Sequence, residues 1–138
     1  MRVIAIDYGD ARTGIAVSDP TGTLTGFATV LSAYRPEALA EQIAVLAREQ
    51  GAEELVLGLP KNMDGTLGPR AEKAAELAEL LRASTGLPVT LWDERRTTVD
   101  AWQILHANGK RVRKGKKTVY AVAASLILEG YLARKNNP

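Results

Sequence analysis

The sequence predicts an α/β domain built on a five-stranded mixed sheet, three antiparallel strands followed by parallel ones, with helices on both faces. Three observations carry this. Three strand-like runs follow one another between Val3 and Leu31, joined through Gly9, Pro20 and Gly22, and such turn chemistry suits an antiparallel meander. From Pro36 onward, apolar runs alternate with helical periodicity, a pattern that calls for parallel pairing through right-handed crossovers. The 138 residues contain no internal repeat, low-complexity tract or long linker. They are expected to form one domain, residues 1–138, of a size that buries roughly two-thirds of its unfolded surface.

Each element has its own signal. Val3-Ile4-Ala5-Ile6 is an apolar run ending at Asp7 and suits a buried strand. Thr13 to Val17 and Thr25 to Leu31 are the second and third strands. Pro36 sits where a first-turn proline belongs and Gly51 just past the end of a helix whose apolar positions are Leu39, Ile43, Leu46 and Ala47. Leu55 to Leu59 is the fourth strand, stopped by Pro60. Pro69 opens a second helix carrying Ala74, Leu77, Leu80 and Leu81, and Gly86 ends it. Val89 to Trp92 is the fifth strand. Thr97 to Asp100 resembles a capping box with Asp in place of Glu, opening a third helix through Leu105. Thr118 to Arg134 is the last helix, apolar on much of its surface and so expected to be well buried.

Composition excludes several chemistries. There is no Cys, hence no disulfide, zinc-thiolate site, iron–sulfur cluster or thiol nucleophile, and this fits a reducing cytoplasm. A lone His106 rules out a histidine metal cage. The first ten residues are too short in apolar content for a signal peptide or a membrane span. The net charge of +2 hides an asymmetry: residues 1–109 hold ten Lys/Arg and fifteen Asp/Glu, or −5, whereas residues 110–138 hold eight Lys/Arg and only Glu129, or +7. Lys110, Arg111, Arg113, Lys114, Lys116 and Lys117 concentrate six of those cations in a segment read as a loop between Gly109 and the last helix. Such a patch suits phosphates, although a charge run is also compatible with a solvated loop.

Three polar clusters fall at the carboxyl ends of strands, where open α/β sheets bind ligands: Asp7 to Asp10, Gly58 to Gly65, and Asp93 to Thr98. Carboxylates converging there suit Mg²⁺ or Mn²⁺, ions that support in-line phosphoryl displacement. An acid directly after four buried residues is costly unless something stabilises it, which marks Asp7, though it could also close a turn. Asp93 and Glu94 point to opposite sides of an extended strand, and Glu94 is favoured as the metal ligand. Lys61, Asn62 and Asp64 also read as ordinary turn residues. Trp92 and Trp102 read as core, and His106 as a surface residue.

Taken together, these motifs resemble the YqgF family, also called RuvX, of the RNase H-like superfamily. They are Ile6-Asp7-Tyr8-Gly9, Arg12 to Asp19, Gly58 to Gly65, Gly68-Pro69-Arg70-Ala71, Asp93-Glu94-Arg95 with Thr97-Thr98, and Ala123 to Leu128 with Tyr131. The resemblance runs from about residue 2 to residue 133. It implies an RNase H-like sheet and a bacterial cytoplasmic nuclease linked to maturation of the 16S ribosomal RNA precursor, with an older reading as a Holliday-junction resolvase. It implies that Asp7 and Glu94 are catalytic acids and metal ligands. The family's third acid falls at Tyr120, eleven residues before Tyr131, and here the sequence departs from the pattern. A phenol is neutral where a carboxylate is charged. Glu129, nine residues on, lies about 13 Å along the helix axis and on its opposite face. Asp10, Asp64 and Asp93 are the substitutes the sequence offers.

The leading expectation is a metal-dependent nuclease for structured RNA, with pre-ribosomal particles as a partner and no membrane. Lys61, Asn62, Arg95, Arg96 and the cations of residues 110–117 would engage nucleic acid. Alternatives are resolution of branched DNA, which needs a dimer that nothing in the sequence announces, and a nucleic-acid-binding protein that lost catalysis at Tyr120. A phosphotransferase is a further alternative, because Asp7-Tyr8-Gly9 and Gly14 also resemble the first phosphate loop of the actin–sugar kinase group.

Overall fold

The computed structural model describes residues 1–9, 11–33, 35–60, 64, 68–93 and 116–136, with the side chains of residues 116–118 excepted. Among the described residues, five strands run β1 (Arg2–Asp7), β2 (Arg12–Ser18), β3 (Thr25–Ser32), β4 (Ala52–Leu59) and β5 (Val89–Asp93), and three helices are α1 (Pro36–Gln50), α2 (Pro69–Thr85) and α3 (Lys116–Asn136). The strand order is β3-β2-β1-β4-β5. β1 pairs antiparallel with β2, and β2 with β3, while β1–β4 and β4–β5 are parallel. The expected mixed sheet is therefore present. The chain turns one way from β1 to form β2 and β3 and the other way to form β4 and β5, so the switch in strand order falls between β1 and β4.

Alternation along each strand sorts the side chains into two cores. Ile4, Ile6, Ile15, Val17, Leu55 and Leu57 pack with Leu39, Ile43, Leu77 and Leu81 of α1 and α2. Val3, Ala5, Ala16, Val56 and Trp92 pack with Ala124, Ile127, Leu128 and Leu132 of α3. Each fully buried Leu or Ile contributes roughly 1.5–3 kcal/mol relative to exposure. The helix ends follow their sequence signals. Pro36 and Pro69 open α1 and α2, while Gly51 and Gly86 close them at φ 65° and φ 70°. Only a residue without Cβ adopts that conformation cheaply.

Boundaries differ from expectation by more than one residue at the start of β4 and at both ends of α3, which runs on to Asn136 rather than stopping at Arg134. β4 starts three residues earlier than its apolar run, because Ala52 pairs with Arg2 across a register shift. α3 starts at Lys116 rather than Thr118, so Lys116 and Lys117 belong to its first turn and not to the preceding loop. Lys is a good helix former, and no acidic residue in that first turn signals the start. The helix expected over residues 97–105, Trp102, His106 and the rest of the basic segment lie outside the described residues.

Candidate active site

β1 ends in Asp7, and the alternation that puts Val3 and Ala5 on the α3 face puts Asp7 there too. Its two strand neighbours on that face are glycines. Asp7 pairs with Gly14 of β2, and one step beyond the Ile6–Leu57 pair it stands level with Gly58 of β4. The half-buried acid is thus flanked by two positions without side chains.

Helix α3 uses one of them. A Cβ built on Gly14 would meet the Tyr120 carbonyl oxygen far inside contact distance, and would lie 3.2 Å from Tyr120 Cβ. A Cβ on Gly9 would lie 3.0 Å from Tyr120 Cε1 and would also run into the Arg12 carbonyl oxygen. The Tyr120 backbone therefore rests on Gly14, directly across from Asp7, and its ring lies against the turn that follows Asp7. The two residues singled out 113 positions apart in the sequence are neighbours in space.

The other sequence candidates divide sharply. Trp92 is core, 8% exposed, and meets the Tyr131 ring edge-on at 5.9 Å. Tyr131, eleven residues past Tyr120, is thus a packing residue about three turns away from Asp7. Burial and a hydrogen bond with Glu54 push its phenol above the usual tyrosine range. Asp93 pairs with Leu59 and, next to Trp92, takes the face opposite to Asp7. Asp64 is exposed in a turn, and Glu129 is exposed on α3. Glu94, Asp10, Lys61, Asn62, Arg95, Arg96, Lys110, Arg111, Arg113 and Lys114 lie outside the described residues. Among the described residues no group of three or more His, Asp or Glu side chains is placed to hold a metal ion. Asp7 brings one carboxylate with the oxygen chemistry that Mg²⁺ and Mn²⁺ prefer, and the Tyr120 backbone rests on the neighbouring Gly14.

Sequence reasoning missed a feature on the other side of the same turn. Tyr8, Gly9, Pro60, Arg70, Lys73 and Ala74 line a cleft at the carboxyl ends of β1 and β4, under the first turns of α2. Arg70 was visible within a motif, but nothing in the linear order ties it to Gly9. A second omission is structural. The Asp19 carboxylate accepts hydrogen bonds from the backbone N–H groups of Thr23 and Leu24 and from the Thr21 hydroxyl. These hold it well below the usual carboxylate range and tie the β2–β3 turn.

The family model described as RuvX, Holliday junction resolvase, matches residues 1–134. The chain belongs to the RuvX family. A relative from Halothermothrix orenii, named "Putative pre-16S rRNA nuclease", is 43% identical over 99% of this chain and 97% of its own length. Among solved structures, Thermus thermophilus RuvC in complex with a Holliday junction substrate shares the fold with a TM-score of 0.65 and 15% identity, over 99% of this chain and 97% of that one. A ROK hexokinase from Thermus thermophilus aligns with a TM-score of 0.51 and 26% identity, over 77% of this chain but only 39% of that one. No helix among the described residues is long and apolar enough to cross a membrane.

Proposed function

We propose that this RuvX chain is a metal-dependent nuclease, a single cytoplasmic domain that hydrolyses phosphodiester bonds in the 16S ribosomal RNA precursor. The observation that carries the site is the setting of Asp7: a carboxylate at the sheet's carboxyl edge, between two glycines, with Tyr120 pressed against the adjoining strand. The substrate follows from the full-length relatives named as pre-16S rRNA nucleases.

Asp7 and Glu94 would hold a divalent ion, Mg²⁺ or Mn²⁺, which when bound supplies charge neutralisation at the scissile phosphate and lowers the pKa of water. Asp7 lies on a rigid central strand, so its carboxylate is held in place before substrate arrives. Tyr120 would orient by hydrogen bonding and by packing. Lys61, Asn62, Arg95, Arg96 and the cations of residues 110–117 would bind phosphates and position the RNA. Lys116 and Lys117 would do so from the first turn of α3.

Branched DNA is the second reading, favoured by the family description. Binding without catalysis is the third, motivated by Tyr120. One experiment separates them. Purified protein and Asp7→Asn are incubated with end-labelled RNA containing single-stranded and duplex segments, with Mg²⁺, Mn²⁺ or chelator, and in parallel with a four-way DNA junction. Metal-dependent RNA cleavage, reduced at least about hundredfold in Asp7→Asn, is the expected result. Equal cleavage by the variant would overturn the site. Cleavage of the junction alone would replace RNA by branched DNA, and binding without cleavage of either would favour the third reading.

A further inference from the structure

We propose that the cleft formed by Tyr8, Gly9, Pro60, Arg70 and Lys73 binds one phosphate group of the nucleic-acid backbone, as a second contact on the side of the β1–β2 turn away from Asp7 and Tyr120. The inference rests on the reading of the chain as acting on nucleic acid, and adds residues outside the metal site and the basic segment.

Four features point to a phosphate. The cleft sits between the carboxyl ends of β1 and β4, at the switch in strand order where open α/β sheets receive ligands. Two cationic side chains border it, Arg70 and Lys73, three residues apart on α2 and hence on one side of the helix. Among the described residues no carboxylate lines it. A guanidinium fork beside an ammonium point charge is the pairing that recognises phosphate oxygens. Finally, the cleft is shallow and open, its roughly 280 Å³ of empty space including solvent at the mouth, so a ligand would dock against its rim rather than be enclosed.

The wall between this cleft and the acid is the turn itself. Gly9 borders the cleft, and the direction of its missing Cβ is filled by the edge of the Tyr120 ring. Tyr8 packs toward the α1/α2 core whereas Asp7 belongs to the α3 face. A strand of nucleic acid laid across the carboxyl edge of the sheet would therefore meet the acid on one side of β1 and the two cations on the other.

The test uses the full chain in an Asp7→Asn background with chelator, so that binding is read without cleavage. The affinity for structured, end-labelled RNA is measured across a salt series for the background protein, for Lys73→Glu, for Arg70→Ala/Lys73→Ala, and for Arg134→Ala at the far end of α3. Removal of one cation from a phosphate makes the slope of log K against log salt shallower by about 0.7–0.9. Both cations face one phosphate, so the double variant should lose about 0.7–0.9 of slope in all, with Arg134→Ala unchanged. Lys73 is exposed, so Lys73→Glu provides a readout even where the double variant fails to fold. Slopes matching the background in both cleft variants would overturn the proposal. In parallel, inorganic phosphate is titrated against thermal unfolding. It should stabilise the background protein and not Lys73→Glu, and equal stabilisation of both would overturn the location. A Lys73-dependent phosphate shift without any change of RNA slope would overturn the backbone as its source. Failure of the background protein to bind RNA at all would count against the nucleic-acid reading itself, while the phosphate titration still reads the cleft.

Discussion

Toward α1 and α2, the strands β1, β2 and β4 present Ile4, Ile6, Ile15, Val17, Leu55 and Leu57; toward α3 the same three strands present Val3, Ala5, Gly14, Ala16, Val56 and Gly58. The first set is large and branched, and holds two helices at side-chain distance. The second is small and becomes smallest beside Asp7, so that the backbone of α3 reaches the sheet at Gly14. One face supplies most of the apolar burial. The other gives up side-chain volume for close approach, and that approach sets Tyr120 next to Asp7. The residues proposed for chemistry lie where packing is tightest by backbone and poorest in side chains.

The largest expected effect breaks the second face. Gly14→Val would drive side-chain carbons into the Tyr120 carbonyl. Because the obstacle is backbone rather than a flexible side chain, the cost should exceed about 3 kcal/mol, beyond the usual range of overpacking. Urea unfolding should show it, together with loss of nucleic-acid cleavage. Ile6→Val, on the first face and adjacent to Asp7, should cost only about 1 kcal/mol and leave turnover per folded molecule unchanged. Equal losses from both substitutions would erase the proposed contrast.

Tyr120→Asp sharpens it further. The change restores a carboxylate beside Asp7 and should strengthen the response to Mg²⁺, seen as a lower ion concentration for half-maximal cleavage and a metal-dependent rise in melting temperature. No gain in either would mean that another group already fills that role. The smallest effect lies away from both faces. Asp19 has its folded pKa lowered by the hydrogen bonds of its turn. Its stabilisation is therefore present above the ordinary Asp range and is lost as pH falls below that range toward the folded value. Asp19→Asn should flatten the acid limb of the stability-versus-pH curve while leaving cleavage at neutral pH intact, as unfolding measured from neutral to acid pH would show.

Much of this was legible in the order of residues. Pro36, Gly51, Pro69 and Gly86 mark helix ends through local backbone chemistry, and the structure has them where they were expected. The motif at Asp7 and the replacement of an acid by Tyr120 were equally plain, because family patterns are linear. The start of α3 was less so. Lys116 and Lys117 extend the helix by two residues, and a cluster of cations carries no signal that separates a loop from a first helical turn.

By itself, the sequence determined the element types and most of their limits, the antiparallel-then-parallel pairing, the core stripes and the family. These depend on dihedral preferences, on periods of two and 3.6, and on motifs read in order. Only the tertiary structure decided that Gly14 is a seat for the Tyr120 backbone, that Asp93 takes the face away from Asp7, and that Arg70 and Lys73 share a cleft with Gly9. Those facts depend on strand register and on which helix covers which face, and contacts between residues distant in sequence are set by packing that no local pattern encodes.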